Sequence, residues 1–259
     1  MFNDTIPSIP DGDIFSIIGM GSQEIKHSNV IAWMLYPYGT HGCKDRFMKN
    51  LCKYFGFKIN DDTSFMDLQV IREKACNIDL LLVSKSNRLV VCIENKVHAP
   101  LSNGQLDKYY DYVNREYKRF TKIFIYLTPK KHKNDSKKAE SFTKWKRLSY
   151  EKLITALYYT VFTDSKNHDG QIQLLPSSGM AQLFVLSYIK LMDKNNICDV
   201  PPGWLITADH FLNAIDDEAS QALEIRNKDM KIRRLENINE INQRTIKNRM
   251  NFTSRGHSV

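Results

Sequence analysis

The sequence predicts an α/β fold: a mixed sheet of four or five strands flanked by helices, with a helical C-terminal arm. Three observations carry this reading. Two apolar runs of strand length flank the turn formers Ser84-Lys85-Ser86-Asn87, the pattern of a β-hairpin. Beyond it, a helical segment leads into the continuous apolar run Ile123 to Leu127, and strand, helix, strand in that order implies a right-handed crossover and a parallel pair. After Asp199-Val200-Pro201-Pro202-Gly203 the chain turns strongly charged and almost wholly helical in character.

Residues 1–21 read as irregular, with Pro7, Pro10, Gly12, Gly19 and Gly21 around a short apolar run. From about Ser22 to Leu35 the apolar positions Ile25, Ile31, Ala32, Met34 and Leu35 fall near one helical face, and Pro37 closes the segment. Phe47, Met48, Leu51, Cys52 and Phe55 repeat at helical spacing, and Gly56 ends that helix. Leu68 to Lys74 reads as a strand leading into the hairpin. Gln105 to Phe120 reads as a helix, with Leu106, Tyr109, Tyr110 and Val113 as its apolar stripe. Two further helices, roughly 150–162 and 178–194, are rich in large apolar residues and belong to the core.

The chain has 259 residues, 42% hydrophobic and 25% charged, enough to bury a core without covalent staples. We expect a main domain at 1–200 and a helical C-terminal extension at 201–259. The formal net charge of +8 favours an anionic partner such as nucleic acid. The basic stretch 130–147 is either a solvated loop or a phosphate-tracking one. The extension, with Ile232, Leu235, Ile238 and Ile241 spaced by three, is a packing arm, a self-association helix that would make a homo-oligomer, or a nucleic-acid contact. Cys43, Cys52, Cys76, Cys92 and Cys198 show no metal-like spacing and read as reduced core thiols. No leader-like pattern and no apolar run of membrane-spanning length is present, so a cytoplasmic protein without a membrane partner is expected.

The chemistry gathers between Asn77 and Lys96. With Ser84 to Asn87 as the turn, Val83 faces Arg88 and Asp79 falls opposite Cys92. Side chains alternate along a strand, so Cys92, Glu94 and Lys96 share one face and Asp79 joins them. Two carboxylates and a lysine at one sheet end suit metal-assisted phosphodiester hydrolysis, because Mg²⁺ prefers oxygen ligands and takes one or two protein carboxylates beside phosphate and water. A lysine alongside can orient water or hold a non-bridging oxygen. An ordinary surface Glu-Lys pair is the bland alternative. No Ser-His-Asp order or cysteine nucleophile offers a rival chemistry.

Ile78-Asp79, followed fifteen positions later by Glu94-Asn95-Lys96, resembles the D…ExK core of the PD-(D/E)XK nuclease superfamily. Gln105-Leu106-Asp107-Lys108-Tyr109 is similar to the Q-x-x-x-Y element of its RecB-like branch. Gln23-Glu24-Ile25-Lys26-His27-Ser28, then Ala32 to Pro37 and His41-Gly42, resembles the N-terminal signature of one bacterial branch, which also carries an arginine-glutamate pair matched by Arg72-Glu73. Ile78 stands where the superfamily name has proline. The resemblance covers roughly 14–160.

It implies a restriction-endonuclease-like core with a mainly four-stranded mixed sheet, and a Mg²⁺-dependent nuclease in which Mn²⁺ can substitute. Asp79 and Glu94 would hold the metal, with the backbone carbonyl of Asn95 and the side chain of Glu24 as further ligands. Lys96 would be the catalytic lysine. Gln105 and Tyr109 would contact nucleic acid or support the site. His27 would sit at the metal, touch DNA, or be a satisfied structural histidine. DNA is the expected substrate and defence against foreign DNA the expected setting. The alternatives are a non-hydrolytic nucleic-acid-binding module of the same fold and an RNA-directed nuclease.

Overall fold

A computed structural model of the chain describes residues 18–209 apart from 22, 75, 131–139, 167–171, 175–176 and 178, together with Phe15 and isolated positions between 221 and 236. Two units divide the chain, Met1–Ala208 and Asp209–Val259. The irregular segment before Phe15, the middle of the basic stretch and most of the charged arm lie outside the described residues.

Among the described residues of the first unit, helices α1 (Glu24–Leu35) and α2 (Arg46–Phe55) are followed by strands β1 (Gln69–Ile71), β2 (Leu80–Ser84) and β3 (Leu89–Asn95). Helix α3 (Gln105–Glu116) joins β3 to β4 (Thr121–Thr128), and a 3-10 turn at Glu140–Lys144 precedes β5 (Lys146–Ser149). Helix α4 (Tyr150–Val161), a small hairpin of β6 (Phe162–Lys166) and β7 (Ile172–Leu174), and helix α5 (Gly179–Lys194) follow. In the second unit, the described positions Ile225, Met230 and Ile232 are helical and exposed.

The main sheet has five strands in sequence order, β1 to β5. β1 and β2, and β2 and β3, run antiparallel, whereas β3 with β4 and β4 with β5 run parallel. The sheet is therefore mixed, as the order of elements predicts. β2 and β3 are buried along their whole length, which is why they read as continuous apolar runs rather than alternating ones.

The hairpin register differs from the expected one by two residues. Ser84 pairs with Leu89 and Val83 with Val90, so the turn is Lys85 to Arg88. Ser84 stays in the strand because its hydroxyl donates to Asp67 Oδ1 at 2.8 Å, and Arg88 joins the turn by taking a φ of 45°. Since Leu80 pairs with Ile93, the next step sets Asp79 across from Glu94 rather than Cys92. A slip of two keeps every side chain on its expected face, where a slip of one would have reversed them all.

One face of the sheet carries Leu81, Val83, Val90, Cys92, Phe124 and Tyr126, packed with Leu106, Tyr109 and Val113 of α3. Alternation gives the opposite face to Leu80, Leu82, Val91 and Ile93, all buried. Helix α1 buries His27, Ser28, Val30, Ile31, Met34 and Leu35, leaving Ile25, expected inside, 52% exposed. Gly56 closes α2 in the left-handed region at φ 78°, its amide bonded to Cys52 O.

Three boundaries differ from expectation. β1 stops at Ile71 because Glu73 turns left-handed at φ 55°. α3 ends at Glu116, and Phe120 closes a turn onto Tyr117 O before the chain enters β4. β5 arises inside the basic stretch. Beyond the double proline, Trp204 stacks on Tyr158 of α4 with ring centroids 4.1 Å apart and planes 5° from parallel. All five cysteines are free thiols. Among the described residues, no helix is long and apolar enough to cross a membrane.

Candidate active site

The site forms where β2 begins and β3 ends, on the side that α3 covers. Glu94 shares the parity of Cys92, and Asp79 that of Leu81, so both carboxyl groups leave the sheet toward α3. Asp79 is held by the backbone: the Asn95 N–H donates to its Oδ2 at 2.7 Å. Glu94 is fully buried. Lys96 Nζ lies 3.0 Å from Glu94 Oε1 and 3.4 Å from Glu24 Oε2. The Lys96 ammonium is thus the charged neighbour of the buried Glu94 carboxyl group.

These groups perturb one another strongly. Burial and the neighbouring Asp79 push Glu94 up to about 8. Burial also raises Asp79, against the opposing pull of the Asn95 N–H and the Lys96 charge. Lys96 is drawn down by burial, yet Glu94, Glu24 and Asp79 outweigh this and hold it at about 12. One buried and one half-buried acid facing one lysine therefore carry more negative potential than that lysine offsets. Such a pair is stabilised by protonation or by a further cation.

The strand between the acids and the lysine is anchored from the opposite face. Asn95, one residue out of phase with Glu94, points toward α1 and α4. Its Nδ2 donates to Ser28 Oγ at 3.0 Å and to Glu24 O at 3.3 Å, while Tyr150 Oη donates to its Oδ1 at 2.6 Å. Both ends of this buried amide are thus satisfied, and β3 is pinned where the chemistry sits. Only the backbone carbonyl of Asn95 is a candidate ligand.

Gln105 and Tyr109, one helical turn apart in α3, act on the other strand. Gln105 Nε2 donates to Tyr109 Oη at 3.1 Å, and Tyr109 Oη donates to Asn77 O at 2.7 Å. Cys76 and Asn77 both adopt left-handed backbone, at φ 61° and 64°, immediately ahead of Ile78-Asp79. The tyrosine therefore secures a sparsely populated turn from which Asp79 emerges. Burial pushes its phenol up to about 12, so it remains a donor.

Glu24 opens α1 and reaches the loop after β3. Its Oε1 accepts from the backbone N–H groups of Val97, His98 and Ala99 at 3.0, 3.3 and 3.0 Å. Among the described residues, no three His, Cys, Asp or Glu side chains converge as a metal-holding group. His27 is fully buried, its Nδ1 2.9 Å from Tyr188 Oη and its Nε2 3.0 Å from Gly21 O. It joins α1 to α5 and presents no nitrogen to a substrate. His41 is likewise enclosed, between Tyr36 O and the Cys43 N–H. Arg72 pairs with Glu73 at 2.8 Å. Ser28 falls within the N-terminal signature, which gives it no role by itself, and Tyr150 carries no spacing signal that would have pointed to it.

The donor set fits a hard divalent cation. Two carboxylates lie at adjacent strand ends, one of them fully buried with a single lysine as its charged partner, and such ions take one or two protein carboxylates beside water and phosphate oxygens. A family model of the PD-(D/E)XK nuclease superfamily matches residues 12–189, well over half of the chain. The chain belongs to that superfamily. Its members typically use divalent metals, and their substrate class is nucleic acid. The five-strand mixed sheet flanked by helices is consistent with the restriction-endonuclease-like fold. No curated protein and no solved structure matches the chain.

Proposed function

We propose that this chain is a Mg²⁺-dependent nuclease that hydrolyses phosphodiester bonds in DNA, with Mn²⁺ able to replace Mg²⁺. The observation that carries the proposal is the pairing of half-buried Asp79 with fully buried Glu94, with Lys96 Nζ 3.0 Å from Glu94. In this reading Asp79, Glu94 and the backbone carbonyl of Asn95 hold the cation. The bound cation supplies Lewis acidity toward a phosphoryl oxygen and toward water.

The protein's own groups do the rest. Lys96 keeps a full positive charge beside the acids and offsets charge that develops on a non-bridging phosphate oxygen. Burial of Glu94 keeps bulk water from screening that interaction. Asn95 and Tyr109 hold the two strand ends so that the acids need not reorganise during the reaction. A water oxygen forms the new bond to phosphorus as one ester bond breaks, leaving a phosphate monoester and an alcohol. The net charge of +8 suits a polyanionic substrate.

Defence against foreign DNA is the setting suggested by the bacterial branch whose N-terminal signature this sequence resembles. We also infer that the C-terminal segment, 201–259, is a helical extension that mediates self-association. Plasmid DNA, linear duplex DNA, single-stranded RNA and tRNA incubated in parallel with Mg²⁺ or Mn²⁺ test the substrate assignment. Cleavage of the DNA substrates is expected. RNA cleavage alone would transfer the proposal to an RNA-directed nuclease, and salt-sensitive binding without any cleavage would leave a binding module.

A further inference from the structure

The acid that opens α1 has a different arrangement from the two at the strand ends. Three successive backbone N–H groups, those of Val97, His98 and Ala99, converge on the one oxygen Oε1 of Glu24. A carboxylate oxygen offers two lone pairs, so this oxygen is already saturated. The other oxygen faces Lys96 Nζ at 3.4 Å.

The same contacts bracket the lysine. Lys96 is followed directly by the three amides, so Glu24 grips the chain at 97–99 while touching the Lys96 side chain. On the other side, the Lys96 N–H donates to Leu127 O of β4 at 2.9 Å. The backbone of α1 contributes too, because Glu24 O accepts from Asn95 Nδ2 at 3.3 Å. One residue of α1 therefore contacts Asn95, Lys96 and the following loop at once.

We propose that Glu24 is a positioning residue that fixes Lys96, and is not a ligand of the catalytic metal. Its carboxylate clasps the 97–99 amides and sets the direction of the lysine side chain toward Glu94. This role rests on the nuclease reading for the importance of Lys96, whereas the clasp and the metal assignment are testable without any cleavage.

The test uses the full chain and four variants: Glu24→Gln, Glu24→Ala, Glu24→Asp and Glu94→Gln. Amide exchange of the metal-free proteins is followed for 97–99, and Mn²⁺ affinity is measured by titration. Glu24→Gln keeps an acceptor oxygen at the same reach, so protection at 97–99 is retained. Glu24→Ala loses it, with exchange faster by about tenfold or more. Glu24→Asp is one methylene too short and behaves like Glu24→Ala, which serves if the alanine variant does not fold.

Mn²⁺ affinity of the Glu24 variants stays within about threefold of the parent, while Glu94→Gln loses about tenfold or more. On a cleavable substrate kcat falls in Glu24→Ala with KM unchanged, and Glu24→Gln recovers part of it. Unaltered protection at 97–99 in Glu24→Ala and Glu24→Asp overturns the clasp. A loss of Mn²⁺ affinity in Glu24→Gln equal to that in Glu94→Gln makes Glu24 a metal ligand instead. Absence of cleavage in the parent protein contradicts the nuclease reading and leaves the exchange and affinity results standing.

Discussion

The Asn95 N–H donates to Asp79 Oδ2 at 2.7 Å, tying the residue that follows Glu94 on β3 to the carboxylate that precedes β2. A main-chain amide cannot move without moving its strand, so this bond fixes the two acids relative to each other. Asn95 is itself held by Ser28, Glu24 O and Tyr150 on the opposite face. The position of Asp79 therefore depends on two elements outside the hairpin, α1 and α4.

Replacing Tyr150 by phenylalanine should expose that dependence. The substitution preserves the ring in a fully buried site and removes the donor to Asn95 Oδ1, leaving a buried acceptor unpaired. We expect a loss of about 1–3 kcal/mol in unfolding free energy by denaturant titration. A variant as stable as the parent would show that Asn95 Oδ1 finds another donor.

Tyr109→Phe should act on the other strand. It removes the bond to Asn77 O behind the left-handed Cys76-Asn77 turn. Cleavage is expected to fall by about ten- to a hundredfold through displacement of Asp79. The melting temperature should drop by about 4 °C, as for any single buried hydrogen bond in a domain of this size. A thermal loss without a loss of cleavage would assign Tyr109 to the fold alone.

How much of this was legible in the sequence depended on the distance over which each feature is specified. The shared face of Asp79, Glu94 and Lys96 survived a two-residue error in register because side-chain alternation has a period of two. The Gln105–Tyr109 spacing identified one helix face but not the turn it holds. β5 was not legible, because Lys146, Arg147 and Ser149 carry no apolar run and the strand is defined by pairing with β4. The three-amide clasp on Glu24 spans more than seventy residues, and no local pattern encodes which of several acids will reach a given loop. His27 was open between site and core until Tyr188, far along the chain, filled its second nitrogen.

The acids make stability depend on pH in a definite direction. Glu94 has an ordinary value of 4.5 and is raised to about 8 in the fold. Between those values the folded protein holds a proton that the unfolded chain has released, so metal-free stability falls as pH rises from about 4.5 to about 8. Lys96, raised from 10.5 to about 12, contributes stability that is complete below 10.5 and is lost as pH rises through about 12. Melting curves at pH 5, 6, 7 and 8 should show the decline, Glu94→Gln should flatten it, and Mg²⁺ should raise the melting temperature most at pH 8. Equal slopes in parent and variant would contradict the burial of an ionisable Glu94.

The self-association proposal has its own test. A chain ending at Ala208 keeps Trp204 stacked on Tyr158, whereas one ending at Val200 loses it. Light scattering should give an assembly for the full chain and a monomer for the chain ending at Ala208. An unchanged mass ratio per chain would remove the role of the arm.

The central claim is that Asp79, Glu94 and Lys96 form one metal-dependent hydrolytic site. Magnesium-dependent nicking or cleavage of plasmid DNA by the parent chain, compared with Lys96→Ala at equal folded concentration, tests it most directly. The account predicts cleavage by the parent that EDTA abolishes, and a loss of at least about a hundredfold in Lys96→Ala. Cleavage by Lys96→Ala at the parent rate would contradict it.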